Sequence, residues 1–472
     1  VLSSAFAKAG AFTDRFVRRY MPDPFVLVLL LTAVALALGL VAMPDAAGGD
    51  GGLVGKGGAL VKAWAGGFGN AEILKFATQI ILIVVTGEAI AASTPAKRLL
   101  AKLTGVPRSS AQALLLVTFF ALLTGWVHWG FGLVASALLA REVGRSCAAR
   151  GIHVHYPLLG TGAYTSMLVW HAGMTASAPL LMNTEKNFVS DVLGLVGPAA
   201  RVPLEQTVFA PYNLLACAAL LVVVPPLIVA MDPARSRAAV TAFDPNVAPF
   251  GSDAAGGTHA DARPETPAEW LDKTRGLSLL VGLLGLLFLP GYVREHGYLD
   301  WNHNVVNVTF LMLGLVLHRS PVSYAKAIAE SVRGVSGIVL QFPFYGGILA
   351  VMTFTGLNER ISHVFIDAST ATSLPFFTYL ASIVTKSFVP SGAGEWAVEG
   401  PVMLKAAQEL GVPFGKITMG VAYGNMLGNM YQPFWSLPLL GLMGLRARDI
   451  MGYSLILFVV CFPILGAALL FG

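Results

Sequence analysis

Long stretches of this chain contain no Asp, Glu, Lys or Arg, among them 24–44, 109–140, 156–184, 206–231, 276–293, 334–358, 417–445 and 450–472. A helix needs about 20 apolar residues to cross a hydrocarbon core, and each stretch comes near or exceeds that length. Lipid offers no hydrogen bonds to the backbone, so runs this long and apolar must satisfy their own N–H and C=O groups as helices. The chain therefore reads as an all-α polytopic membrane protein with about ten membrane elements. Its composition agrees, with 55% hydrophobic and only 12% charged residues, against roughly 25% charged in a soluble domain. The net charge of +5 belongs to loops and calls for no nucleic acid partner. Cys147, Cys217 and Cys461 lack metal or disulfide spacing and read as small apolar residues.

The apolar segments are organised by a duplication. Ala163, Tyr164, Met167, Leu168, Ser177, Pro179, Leu180 and Leu181 recur at an offset of 259 as Ala422, Tyr423, Met426, Leu427, Ser436, Pro438, Leu439 and Leu440. Upstream, at an offset of 262, Gln79 aligns with Gln341 and Gly130-Phe131-Gly132 with Gly392-Ala393-Gly394. The expected organisation is a first repeat over 1–231, a polar cytoplasmic linker over 232–275 rich in Pro, Asp, Ala and Gly, and a second repeat over 276–472. The first apolar run begins only at Phe25 and lacks a small-residue cleavage pattern, so it is expected to be a true span and not a signal peptide.

The basic residues decide how these segments cross. Lys8, Arg15, Arg18 and Arg19 place the N-terminus in the cytoplasm by the positive-inside rule. If 111–139 and 373–404 each dip in and return, with turns at His128-Trp129-Gly130-Phe131-Gly132 and Pro390-Ser391-Gly392-Ala393-Gly394, then 21 of the 31 Lys and Arg are cytoplasmic and 8 lie outside. Lys75 and Lys386 remain in membrane segments. Two re-entrant hairpins and two inverted-topology repeats are the expectation, an arrangement suited to alternating access.

Each repeat also carries a broken helix. One breaks around His171 and Ser177, before Pro179; the other breaks at Asn425, Asn429 and Gln432, before Pro433 and Trp435. Amides at such breaks can ligate a cation or donate to a carboxylate, and half-helix N-termini favour anions. Candidate substrate-binding residues are therefore His128, Trp129, Gly130, Gly132, His171, Ser177, Pro390, Ser391, Gly392, Gly394, Glu395, Trp396, Asn425, Asn429, Gln432 and Trp435. Glu395, His128 and His171 are the proton-coupling candidates; alternatively Glu395 pairs with Lys386 in a wet vestibule, or makes a structural hydrogen bond. Glu88 and Glu399 read as helix-end or packing residues. No metal site is spaced into the sequence, although Na+ could be held near Gly130, Gly392, Asn425 and Asn429. Trp129, Trp170, Trp396 and Trp435 flank the breaks, either as interfacial anchors or as the wall of a small apolar pocket. Hydrolase, zinc-protease, Walker and dinucleotide motifs are absent, so an enzyme is not expected and no cofactor is called for.

Several runs resemble the bacterial short-chain fatty acid transporter family. They are Gln341-Phe342-Pro343-Phe344-Tyr345-Gly346-Gly347-Ile348, Val389-Pro390-Ser391-Gly392-Ala393-Gly394-Glu395-Trp396, Ala422-Tyr423-Gly424, Gln432-Pro433-Phe434-Trp435-Ser436-Leu437-Pro438 and Trp129-Gly130-Phe131-Gly132-Leu133-Val134. Arg18-Arg19-Tyr20-Met21-Pro22-Asp23-Pro24 and Arg448-Asp449-Ile450-Met451-Gly452-Tyr453 extend the similarity over nearly the whole chain. The resemblance implies the ion transporter superfamily fold, a homodimer with scaffold and mobile transport domains, and an elevator-like mechanism in the bacterial inner membrane. It further implies uptake of acetoacetate, butyrate and similar monocarboxylates, coupled to H+ or Na+. A dicarboxylate or other organic-anion symporter of the same superfamily is the alternative, and a channel is a more distant one.

Overall fold

The computed structural model describes residues 24–43, 52–184, 194, 201–233, 240–244, 266–297, 303–332, 335–386 and 392–472. In the first half the helices are α1 (Pro24–Ala42), α2 (Gly52–Gly67), α3 (Ala71–Ala92), α4 (Thr94–Thr104), α5 (Ser110–Val127), α6 (Trp129–Ala149), α7 (Tyr156–Tyr164), α8 (Ser177–Met182) and α9 (Pro211–Ala230). A short helix, α10 (Pro267–Lys273), lies at the end of the linker. The second half contains α11 (Arg275–Leu286), α12 (Phe288–His296), α13 (His303–Leu317), α14 (Pro321–Val332), α15 (Ser336–Phe354), α16 (Leu357–Ala368), α17 (Leu374–Thr385), α18 (Gly392–Leu410), α19 (Phe414–Gly428), α20 (Ser436–Met443) and α21 (Ala447–Phe471).

Polar residues set the starts of several helices. Asn70 accepts from the Ile73 N–H at 3.0 Å to cap α3. Ser93 and Ser109 cap α4 and α5 in the same way, satisfying donors that the first helical turn leaves open. Among the described residues, six apolar segments are long enough to span a membrane: Ile73–Ala92, Ser110–Val127, Pro211–Ala230, Arg275–His296, Ser336–Phe354 and Ala447–Phe471. One of these segments departs from the charge-free stretches, and another ends where a turn was expected. The first span is absent from the charge-free stretches because it carries Lys75 and Glu88. The long stretch 109–140 is divided at His128 into two helices.

The duplication is visible as repeated architecture. With the offsets read from the sequence, α3, α4, α5 and α6 match α15, α16, α17 and α18, and α7 and α8 match α19 and α20. Contacts repeat as well. In the first half α3 packs on α6, α5 on α6 and α7, and α6 on α7; in the second, α15 packs on α18, α17 on α18 and α19, and α18 on α19. Around this assembly α15 lies against α1 and α2, while α3 lies against α13 and α14. The α5–α6 pair closes where Gly132 meets Gly125: a Cβ on Gly132 would sit 2.6 Å from the Gly125 Cα, so only glycine permits the approach.

The linker is tied down at 240–244. Thr241 accepts from the Tyr156 N–H at 2.8 Å and donates its own N–H to His155 Nδ1 at 3.1 Å. Phe243 packs edge-on to Tyr156. With Nδ1 accepting, the His155 proton resides on Nε2, which faces the Tyr453 hydroxyl at 3.1 Å. Burial lowers the His155 pKa to about 4, although the charges of Asp232 and Asp449 oppose the shift. Because the folded value lies below the ordinary one near 6.5, the unfolded strap binds more protons between those pH values. Its stability should therefore hold above about pH 6.5 and fall as the pH drops toward 4, by up to about 3 kcal/mol. Faster hydrogen exchange at the Thr241 and Tyr156 amides over that window checks this, and His155→Gln should flatten the response.

Candidate functional site

Both predicted breaks exist, with different internal structure. In the first half α7 ends at Tyr164, two 3-10 turns cover Thr165–Leu168 and Trp170–Ala172, and α8 starts at Ser177. In the second half α19 stays helical through Gly428, and 429–435 connect it to α20. Asn425 thus belongs to the helix and Asn429 to the break. The breaks are braced from across the duplication. Tyr164 donates its hydroxyl to the carbonyls of Asn429 at 3.0 Å and Gln432 at 3.4 Å. Its repeat partner Tyr423 donates to Asn213 Oδ1 at 2.9 Å, and Asn213 Nδ2 donates to the Ala172 carbonyl at 3.0 Å. Carbonyls freed by the missing helical bonds are thereby satisfied.

Four polar side chains converge where α17, α18 and α19 meet. Ser382 and Lys386 stand at the end of α17, Glu395 in the first turn of α18, and Asn425 on α19. Ser382 Oγ donates to Glu395 Oε1, and Asn425 Nδ2 donates to Glu395 Oε2. Lys386 Nζ donates to Asn425 Oδ1 at 2.9 Å, so Asn425 links Lys386 to Glu395. Lys386 and Glu395 are both 0% exposed. Charges are tolerated in such surroundings when they are paired and hydrogen-bonded. Two glycines make room: Gly428 lies against the Lys386 stem, and Gly392 lies against the His171 ring, with its absent Cβ falling 3.0 Å from Asn425 Oδ1.

An aromatic stack adjoins the cluster. Trp129 stacks on Trp170 at 4.1 Å and Trp170 on His171 at 4.1 Å, while Trp435 meets Trp129 and Trp170 edge-on at 5.0 and 5.3 Å. His171 Nδ1 accepts from the Ser177 N–H at 3.4 Å. The stack therefore joins the first hairpin turn and both breaks to the Glu395 cluster.

The remaining candidates are distributed around this centre. His128 accepts from the Phe131 N–H at 3.1 Å as the cap of α6, and its ring lies on Phe310 of α13, with Gly87 of α3 alongside. Gly130 packs on the α3 backbone near Ile83 and Val84, so it does not share the surroundings of Gly392. Asn429 Nδ2 donates to the Met167 carbonyl at 3.3 Å, and Gln432 Oε1 accepts from the Phe434 N–H at 3.3 Å. Gly394 and Trp396 are buried on α18. Pro390 and Ser391 lie outside the described residues. No group of three or more His, Cys, Asp or Glu that could hold a metal occurs among the described residues.

Lys386 is the residue that the sequence weighed too lightly. The useful signal was its spacing: Ser382 and Lys386 share one helical face, and Glu395 in the first turn of α18 comes alongside it.

Comparisons agree with this architecture. The short-chain fatty acid transporter family model matches residues 5–471. A protein of Escherichia coli K12 bearing that transporter name is 38% identical over 448 residues, covering 95% of this chain and 96% of the relative. A relative of the same name from Haemophilus influenzae is 36% identical over 461 residues, covering 97% of this chain and 98% of its own. In fold, the chain is similar to the YdaH transporter of Alcanivorax borkumensis, with a TM-score of 0.57 at 16% identity over 94% of this chain and 98% of that one. Neisseria gonorrhoeae MtrF, described as an antimetabolite efflux pump, gives 0.50 at 15% identity over 97% of each. The protein is a multi-pass membrane transporter and not an enzyme, and it belongs to the short-chain fatty acid transporter family.

Proposed function

We propose that the protein carries short-chain monocarboxylates, such as acetoacetate and butyrate, into the cell as a cation-coupled secondary transporter, with the proton as the coupling ion. It would work in the bacterial inner membrane with its N-terminus cytoplasmic, as a homodimer. Its two halves would be inverted, with re-entrant hairpins moving by an elevator-like displacement. The observation that carries this reading is the buried Glu395–Lys386 pair, held through Asn425 between a hairpin and the two broken helices. A monocarboxylate suits a site where Lys386 is the cation among the described residues; a dicarboxylate would need a second positive group. The Trp129–Trp170–Trp435 stack offers an apolar wall for a short acyl chain.

Uptake of labelled butyrate into proteoliposomes, under separately imposed proton and sodium gradients, tests the proposal. An inward proton gradient should drive accumulation. Accumulation that needs sodium at fixed pH, or equilibration without accumulation, would reject the coupling or the carrier mechanism respectively.

The glycines give a sharper expectation. Gly392→Ala drives a methyl into the His171 ring and toward Asn425, and should lower uptake at least about tenfold, the equivalent of 1.4 kcal/mol. Gly130→Ala places its methyl 3.2 Å from the Ile83 carbonyl and 3.3 Å from the Val84 Cα, so a small shift accommodates it. Uptake within about threefold of wild type is expected there. Equal losses in the two variants would show that the hairpins contribute alike.

A further inference from the structure

Lys386 and Glu395 are both fully buried, and as an ammonium and a carboxylate they sum to zero charge. Asn425 joins them, its carbonyl oxygen accepting from the ammonium and its amide nitrogen donating to the carboxylate. We infer that Lys386 is the receptor for the substrate carboxylate, and that substrate displaces Glu395 from it only when Glu395 takes up a proton. The inference rests on the monocarboxylate reading above and adds the stoichiometry: one proton per substrate, with no net charge moved.

The charge balance follows from the cluster. Empty, the site holds one ammonium and one carboxylate. Loaded, it holds the ammonium, the substrate carboxylate and a neutral Glu395 acid. Both states sum to zero, and the only bond made is the O–H bond between Glu395 and the proton taken from solution. Substrate without proton leaves one unbalanced negative charge, and proton without substrate leaves one unbalanced positive charge. An unbalanced charge in a buried site is strongly disfavoured. Only the empty and fully loaded forms should therefore cross, which prevents a leak of either species alone.

The neighbouring titratable groups fit this count. Tyr345 of α15 faces Glu395 and donates to Gln341 Oε1 at 2.8 Å, so it stands as a neutral phenol. His171 lies beside Lys386 and accepts with Nδ1, as a neutral ring does. Glu399, one turn beyond Glu395, has no hydrogen-bond donor at either oxygen, which suits a neutral acid. None of the three changes the difference between the empty and loaded states.

The experiment uses the purified full-length protein in proteoliposomes with labelled butyrate, pH gradients, and membrane potentials set by potassium and valinomycin. Wild-type uptake should follow the pH gradient and stay within twofold when the potential is reversed. Glu395→Gln removes the proton step, so its empty site carries one positive charge and its substrate-loaded site none. Net uptake should fall at least tenfold, lose its pH response and depend on an interior-positive potential, while exchange of internal for external butyrate persists. Lys386→Gln, and the Lys386→Gln/Glu395→Gln double variant, should lose both activities at least a hundredfold. A double variant with wild-type thermal stability shows that this loss is not unfolding. Proton-driven uptake surviving in Glu395→Gln, or exchange surviving in either Lys386 variant, overturns the inference and leaves the transport reading standing. If wild type takes up no short monocarboxylate under any gradient, both fall together.

Discussion

Lys386→Met should be among the most destabilising single substitutions in the chain, lowering unfolding free energy by about 3–5 kcal/mol. The methionine fills much of the space of the lysine stem against Gly428, so little is lost in packing. What remains is a Glu395 carboxylate at 0% exposure, which must stay charged without its cation or take up a proton at neutral pH. Both outcomes are costly. Adding Glu395→Gln to Lys386→Met should restore most of the loss, because the glutamine amide keeps a hydrogen-bonding group beside Ser382 and Asn425 without the charge. Thermal midpoints in detergent provide the check: the double variant should lie well above Lys386→Met. A double variant no more stable than the single would mean that the ammonium matters through its stem or its bond to Asn425, and not through Glu395.

Trp170→Ala should follow closely. Trp170 is buried between Trp129 and His171 with Trp435 against its edge, and its indole N–H donates to the Thr175 carbonyl at 3.1 Å. Truncating such a residue costs about 3–5 kcal/mol. Trp170→Phe retains an aromatic ring and should lose less. If the stack forms the wall for the acyl chain, the alanine variant should also lose discrimination between butyrate and acetate. Two methylenes buried at about 0.8 kcal/mol each correspond to roughly a 15-fold preference. Competition by acetate against labelled butyrate measures that ratio. An unchanged preference in Trp170→Ala would place the acyl chain elsewhere.

Much of the architecture was legible in sequence because lipid imposes a simple rule on it: long uncharged runs must become helices, and the repeated residues give their order twice. The span carrying Lys75 and Glu88 was harder to see because its two charged residues interrupt the uncharged pattern. The site was legible as a set of types and less so as a set of neighbours. His171, Gly392, Glu395 and Asn425 do converge. His128 occupies a repeat neighbourhood similar to theirs yet faces Phe310 of α13. Likewise Gln79 and Gln341 keep their repeat register but not their partners: the first donates to Asn304 Oδ1, and the second accepts from Tyr345. Periodicity fixes which residues share a helix face, but the facing helix is set by packing distant in sequence.

The crossed tyrosine braces bear on how such a chain could have arisen. Tyr164 holds the Asn429 and Gln432 carbonyls, and Tyr423, through Asn213, holds the Ala172 carbonyl. The tyrosine of each copy thus reaches across to the other, Tyr164 to the break itself and Tyr423 to the Asn213 that braces it. In a half-length ancestor, one tyrosine would have served the same purpose between two subunits, so neither would have had a finished core alone. Gene fusion would then have preserved an obligate partnership, making the two halves selectable only as a pair and leaving each free to specialise where the brace does not reach.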